Sequence, residues 1–241
     1  SLLIVGCGSN SNANKSSSNG TKTTTTTENT VKPGEATPRS ETLYISGLQW
    51  GPPTTFNPLS PSQTSLPLSA TSIARELTFE TLFMYNQLDG KMYPLLGKSY
   101  AFSSDSTVCT VTLNPDAKWN DGEKVTADDV VYTFELGKKY PVSWSSNWNY
   151  LDSVTAKDDT TVEFKLKSDN KNPLMVEEAL ESVYILPKHV WIKIEEKDNN
   201  DFSKISSEVN ANPVASGPYK VFYYDNAKVV LIRDDNYWGK A

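Results

Sequence analysis

The chain has 241 residues, of which 37% are hydrophobic and 22% are charged, and its formal net charge is −6. This composition is typical of a globular protein and excludes a wholly disordered chain. The acidic balance, without a basic patch, argues against a nucleic-acid-binding protein. The single histidine, His189, and the two cysteines, Cys7 and Cys109, lie far apart in the sequence. The sequence therefore offers no zinc-ligand spacing and no Cys–His pair for nucleophilic catalysis, and we expect neither a metal nor a cofactor.

The first seven residues form an apolar run that ends in Gly6 and Cys7. The run is too short to span a bilayer and is typical of the end of a signal peptide. An apolar run, a small residue and a cysteine resemble a bacterial lipobox, which implies that the Cys7 thiol carries a diacylglyceryl group. We therefore interpret residues 1–7 as a signal-peptide remnant and expect a lipid-anchored protein.

Residues 8–41 are rich in Ser, Thr and Asn and contain almost no apolar side chains. Four basic and two acidic residues lie in this segment before Glu41, for a net charge of +2 over residues 8–40, so the rest of the chain carries −8. Such a segment cannot bury enough apolar surface to offset the entropy lost on ordering. It predicts a disordered tether that holds a folded body, residues 42–241, off a membrane. A tether fits an enzyme or an adhesin equally well, so it does not select a function.

The folded body opens with a predicted strand at residues 43–47 and an irregular, proline-rich loop from Leu48 to Leu59. Apolar positions then predict a helix over residues 69–85. Alternating side chains predict a strand over Thr107–Leu113. In the next segment, Asn120-Asp121-Gly122 predicts a tight turn.

A helix is predicted to begin after Thr126, with Asp129 at the capping-box position. A polar loop follows, in which Trp144, Trp148 and Tyr150 stand among Ser and Asn residues. Aromatic faces stack on the C–H faces of sugar rings, and amides and hydroxyls bond sugar hydroxyls, so this loop is a candidate ligand platform. The alternative is that the aromatics anchor the loop to the core.

The remaining elements are predicted from alternation and from proline positions. They are a hairpin over 153–166, a helix over 173–182, a strand over 183–186, a helix from 188 to about 197, and a hairpin of 221–224 with 229–233.

Five blocks of this sequence resemble, in the same order, the extracellular solute-binding proteins of ABC importers, family 5 or oligopeptide-binding type. The blocks are the loop ending in Phe56-Asn57-Pro58-Leu59, residues 79–91, Ala117–Val130, residues 153–166, and Ser216–Tyr219 with Asn236–Gly239. The portion Gln49–Pro53 also resembles the branch of that family that binds oligosaccharides of the cellobiose type.

The resemblance implies a mixed α/β fold of the periplasmic-binding-protein-like type II (cluster C), in which two lobes close around a ligand and an ABC permease docks the closed form. Family members normally continue beyond the Asn236–Gly239 element. We therefore expect the first lobe only, with the second lobe missing and with an inserted subdomain at about residues 60–182.

These observations predict a membrane-anchored extracellular protein that captures a solute for an ABC importer, on the outer face of a bacterial membrane or in the periplasm. An oligosaccharide of the β-glucoside type is preferred as ligand, and an oligopeptide or dipeptide is the alternative. A tethered hydrolase is a remote third reading, because the acidic residues lie in turns, caps and hairpins. The predicted ligand contacts are Trp50, Gly51, Asn57, Trp144, Trp148 and Tyr150.

Overall fold

In this computed structural model the described residues are 54–61, 77–225 and 228–240. The strands are β1 (Phe83–Asn86), β2 (Lys91–Pro94), β3 (Gly97–Phe102), β4 (Val108–Leu113), β5 (Leu151–Asp158), β6 (Thr161–Leu166), β7 (Tyr219–Tyr224) and β8 (Val229–Arg233). The helices are α1 (Ala127–Lys139), α2 (Pro173–Ser182), α3 (Lys188–Lys197) and the short α4 (Phe202–Ile205), with a 3₁₀ turn at Ser145–Asn149. The strand expected at residues 43–47 lies outside the described residues.

The central sheet has four antiparallel strands in the order β3-β4-β6-β5. Alternate residues of β4, namely Cys109, Val111 and Leu113, are fully buried, as its sequence alternation predicts. Cys109 lies opposite Phe164 of β6 in the ladder, and Val111 lies opposite Val162. One face of the sheet therefore forms the core of the lobe.

Helix α1 covers the sheet and begins where the sequence predicts. The carboxylate of Asp129 accepts hydrogen bonds from the backbone N–H and the hydroxyl of Thr126, at 2.8 and 3.1 Å. This reciprocal cap satisfies a donor that would otherwise be free at the start of the helix. The apolar side of α1 faces the sheet, and the ring of Phe134 meets that of Phe164 edge to face at 5.0 Å.

The helix predicted over residues 69–85 is wrong at its C-terminal end. Residues 83–86 form β1, which pairs antiparallel with β2 in the register Phe83↔Pro94 to Asn86↔Lys91. The ring of Phe83 packs onto Gly97, where a Cβ would come within 2.5 Å of it. Pairing with β2 and this close contact override the helical pattern of the apolar residues.

The strand predicted over residues 183–186 is not a regular strand. These residues form an extended segment, in which Ile185 N–H donates to the backbone carbonyl of Glu80 at 3.1 Å.

Residues 213–218 connect distant parts of the lobe. The turn at Asn120 is bonded to them through its backbone N–H to Ala215 and its side-chain amide to Pro213. Gly217 N–H donates to the carbonyl of Thr78 at 2.9 Å. A Cβ on Gly217 would lie 2.5 Å from a backbone oxygen, so only glycine permits this approach.

Candidate ligand-binding site

Trp144 opens the aromatic loop and is buried against helix α1. Its indole N–H donates to the carbonyl of Thr133 at 2.8 Å. The ring lies over Gly137, where a Cβ would approach the indole to 2.9 Å. The indole therefore contributes packing to the core, and its only donor is already bonded within the chain.

Trp148 binds the next backbone carbonyl of α1 and is only half-buried. Its indole N–H donates to the carbonyl of Phe134 at 2.9 Å. The ammonium group of Lys138 stands 3.7 Å from the ring centroid, which is a cation–π contact. Trp148 is thus the aromatic of this loop whose ring keeps an accessible area, while its N–H is fixed by Phe134 and one face of the ring is covered by Lys138.

Tyr150 closes the loop and is buried. Its hydroxyl donates to the side-chain oxygen of Asn147 at 2.6 Å. Burial, and then the charge of Glu178, raise the pKa of Tyr150, so its hydroxyl stays protonated. The amide nitrogen of Asn147 is buried without a hydrogen-bond partner.

Asn57 lies in another part of the lobe and is fully buried. Its amide nitrogen donates to the carbonyl of Ile205 at 2.7 Å, and its side-chain oxygen accepts from Leu59 N–H at 2.8 Å. These two bonds fix a turn in residues 54–61 and join it to the end of α4. They account for the Asn-Pro element of the sequence by local folding.

The structure thus brings Trp144, Trp148 and Tyr150 onto one loop beside α1. Trp50, Gly51 and Cys7 lie outside the described residues. Ligand contact by the six predicted residues remains a prediction.

Within residues 54–61, 77–225 and 228–240, no group of three His, Cys, Asp or Glu side chains is arranged to hold a metal ion. Helices in those ranges are all too short or too polar to cross a membrane.

A buried carboxylate that the sequence did not reveal fixes the start of the aromatic loop. Glu195 of α3 accepts from Lys139 Nζ at 2.7 Å, Tyr140 OH at 2.8 Å and Tyr132 OH at 2.5 Å. Burial opposes the charged form of Glu195, but these three donors outweigh it and lower its pKa. The ring of Tyr140 also stacks on Phe202 at 5.1 Å. Glu195 lies four residues after the buried Trp191, on the same face of α3, but the sequence does not identify the three donors that surround it.

A second buried carboxylate, Glu80, holds the C-terminal element. It accepts from the hydroxyl of Tyr237 at 2.6 Å and from the indole N–H of Trp238 at 3.0 Å. The indole also donates to the carbonyl of Ser216 at 3.1 Å. Burial raises the pKa of Glu80 despite these donors. The Asn-Tyr-Trp-Gly block is therefore the partner of an acidic residue more than 150 positions earlier.

Residues 91–241 match the protein family described as "Bacterial extracellular solute-binding proteins, family 5 Middle". Among curated relatives, the "Probable peptide-binding protein YejA" of Agrobacterium fabrum is 30% identical over 208 residues, which cover 84% of this chain and 31% of that protein.

Solved structures of similar proteins agree with this match. The periplasmic oligopeptide-binding protein of an oligopeptide ABC transporter from Thermotoga maritima, solved with mannohexaose bound, superposes with a TM-score of 0.71 at 33% identity, over 85% of this chain and 35% of that one. The oligopeptide-binding protein AppA of Bacillus subtilis, solved with a nonapeptide, gives a TM-score of 0.61 at 28% identity, over 78% and 36% of the two chains. The predicted mixed α/β fold of periplasmic-binding-protein type II is confirmed. The chain spans about a third of the length of the relatives that it matches.

Proposed function

Because the chain belongs to the bacterial extracellular solute-binding proteins of family 5, we propose that it serves as part of the solute-binding component of an ABC importer. The observation that carries the proposal is the family match over residues 91–241, together with the TM-score of 0.71 to the Thermotoga maritima binding protein. These relatives are binding proteins and not enzymes. The partner is accordingly a solute and an ABC permease rather than a substrate that is turned over.

The ligand class that we propose first is an oligopeptide. The Agrobacterium fabrum relative is named as peptide-binding, and the Bacillus subtilis structure holds a nonapeptide. A peptide offers backbone donors and acceptors that a cleft recognises independently of side chains. This order reverses the preference that the sequence suggested, where the aromatic loop favoured a sugar.

An oligosaccharide is the second candidate. It is favoured by the mannohexaose in the Thermotoga maritima structure, whose TM-score to this chain is 0.71. Trp148 supports it locally, because a half-buried indole fixed by Phe134 and Lys138 is a rigid surface on which a sugar ring can stack. In this proposal Trp148 contacts the ligand, while Trp144 and Tyr150 hold the loop that carries it. Trp50, Gly51 and Asn57 belong to the other predicted contact segment.

The anchor proposed for this protein is a diacylglyceryl group on Cys7, which follows the apolar run and Gly6. It places the folded lobe on the extracellular face of the cell membrane, or in the periplasm where an outer membrane exists. The segment of residues 8–41 then sets the distance over which the lobe reaches a permease.

Calorimetry on the product of the complete gene that encodes this sequence tests the ligand class. The titrants are a nonapeptide mixture, mannohexaose and cellohexaose, and the variant Trp148→Ala is compared with Trp191→Phe, a change in a fully buried core tryptophan. The first candidate predicts submicromolar to micromolar binding of peptides and none of either sugar. Sugar binding that Trp148→Ala weakens would establish the second candidate instead. Cleavage of any of the three titrants would refute the proposed function. Failure of all three to bind would refute both proposed ligand classes.

A further inference from the structure

Large apolar side chains are exposed together on one part of the lobe. Of the eight exposed large hydrophobic residues among the described ranges, six lie on the β1–β2 hairpin and the first turn of α2: Met84, Tyr85, Leu88, Tyr93, Leu174 and Met175. Leu88 at the tip of the hairpin is 97% exposed, and Leu174 is 73% exposed. Scattered exposed hydrophobics need no explanation, but a cluster of this kind marks an interaction surface.

The hairpin presents apolar side chains on both of its faces. Tyr85 lies opposite Met92 in the ladder, and Met84 lies opposite Tyr93, so these two pairs point to opposite sides. Tyr85 and Met92 line a groove whose other wall is helix α2, with Leu174 at its end. A two-stranded hairpin gains little stability by itself. Exposure on both faces and at the tip is therefore costly unless another molecule covers them.

The wall of the groove on α2 is acidic. Glu177, Glu178 and Glu181 all line it, and among the described residues none of the three forms an ion pair. Tyr100 OH donates to Glu177 at 2.9 Å, and the backbone N–H of Tyr85 donates to Glu181 across the groove. Burial, and then repulsion from Glu178, raise the pKa of Glu181 despite the hydrogen bond from Tyr85, so a cation placed here would relieve an existing cost.

Charge and shape together select the occupant. A second copy of this chain would bring the same acidic surface against itself, and the chain outside residues 8–40 already carries −8. The tether supplies four basic residues but almost no apolar side chain to cover Leu88 or Leu174. Small solutes bind in concave sites, whereas Met84, Leu88 and Tyr93 are exposed outside the groove and would not be covered by a solute bound in it. A protein segment with basic and apolar side chains matches both features.

We propose that the β1–β2 hairpin and helix α2 form a docking surface for a segment of another protein that presents apolar side chains beside lysine or arginine. The apolar side chains cover Leu88, Tyr85 and Leu174, and the basic side chains enter the groove beside Glu178 and Glu181. This surface is independent of the solute-binding function proposed above.

The test uses a capped 14-residue peptide of Leu and Lys at helical spacing, and a counterpart in which Glu replaces Lys. Binding to the 241-residue chain is measured by fluorescence anisotropy at low ionic strength. The Leu/Lys peptide is expected to bind and the Leu/Glu peptide is not. Glu178→Gln/Glu181→Gln should weaken binding about fivefold, and Leu88→Ser/Leu174→Ser about tenfold or more.

The matched control is Glu123→Gln/Glu196→Gln, which removes the same charge from exposed positions elsewhere. It should change the affinity by less than twofold. Hydrogen exchange locates the peptide, and protection is expected in residues 83–94 and in α2. The four variant side chains are exposed or at the groove wall, and circular dichroism confirms that each variant folds.

Several results would overturn the proposal. Equal loss of affinity in the control, protection confined to other parts of the chain, or equal binding of the Leu/Glu peptide would show that the groove does not select a basic segment. Sedimentation that shows a dimer dispersed by Leu88→Ser/Leu174→Ser would assign the surface to a second copy. Loss of protection at the hairpin on changing Lys15, Lys22, Lys32 and Arg39 to Gln would assign it to the tether.

Discussion

Replacing Glu195 by glutamine should destabilise the lobe far more than the small chemical change suggests. Its carboxylate accepts from Lys139, Tyr140 and Tyr132 at 2.5 to 2.8 Å. Glutamine accepts through one oxygen only, so at least one donor loses its acceptor. Hydrogen bonds to a charged group contribute about 1.5–3 kcal/mol each, and we therefore expect the free energy of unfolding to fall by about 2–3 kcal/mol at neutral pH. In urea this is a shift of the midpoint by about 1 M or more.

The assay is urea unfolding of Glu195→Gln, followed by tryptophan fluorescence, with Glu196→Gln as the control. Glu196 is the next residue of the same helix and is exposed, so its substitution should move the midpoint by less than a fifth of the Glu195 effect. Equal midpoints for the two variants would refute the argument, because the three hydrogen bonds would then contribute nothing to stability.

The pH dependence adds a second check on Glu195. Burial opposes its ionisation, but the three donors lower its pKa below the ordinary value of 4.5. A carboxylate whose pKa is lower in the folded state stabilises the fold above the unfolded pKa, and this contribution is lost as the pH falls through the folded pKa. The difference between the wild type and Glu195→Gln should thus be full at pH 7 and shrink below pH 4.5. A difference that grows in acid would contradict this sign.

The remaining predictions concern four positions. Burial raises the pKa of Glu80 above 4.5, so its charged form costs stability as the pH rises, and Glu80→Gln should become more stable relative to the wild type between pH 4 and pH 7 in thermal unfolding. Gly217→Ala should lower the free energy of unfolding by about 1–3 kcal/mol or more, because its Cβ would meet a backbone oxygen at 2.5 Å; an unchanged urea midpoint would refute this. Gly137→Ala should expose the indole of Trp144, visible as a red shift of its fluorescence, and an unshifted spectrum would contradict its packing. Cys7→Ser should abolish incorporation of labelled fatty acid in cells and release the protein to the medium or periplasm; continued labelling would rule out Cys7 as the anchor.

Local chemistry made several elements predictable. Neighbouring residues alone predict three elements, and the structure has a helix or strand at each. The signals are the Thr126 cap with Asp129, the alternation of residues 153–166 and the proline that begins α2. The strand β1 was not predictable, because residues 83–86 are extended only through pairing with residues 91–94. Periodicity describes which side chains share a face and does not distinguish a short apolar strand from the end of a helix.

The candidate site was predictable in composition but not in burial. Residues 144–150 were expected to form a polar loop with aromatics, and they do lie on one loop. The sequence did not indicate that Gly137 leaves space for the Trp144 indole on α1, or that Tyr150 donates to Asn147. Such accommodation depends on a residue in another element, and no pattern within the loop encodes it. The same is true of Glu80 and Glu195, whose partners lie far away in the chain.

The hydrogen bonds between Glu80 and the Tyr237–Trp238 pair also constrain the order in which parts of the lobe can fold. They join positions 157 and 158 residues apart, and Phe56 N–H reaches Val209 across a similar separation. A chain that emerges from its N-terminus cannot form these contacts until residues 237 and 238 have appeared. The ladder of β3 to β6, in contrast, is formed entirely within residues 97–166. Long-range contacts are the slow ones in folding. The four-stranded sheet can therefore assemble early, whereas the Glu80 carboxylate acquires its two partners only after residues 237 and 238 have been synthesised.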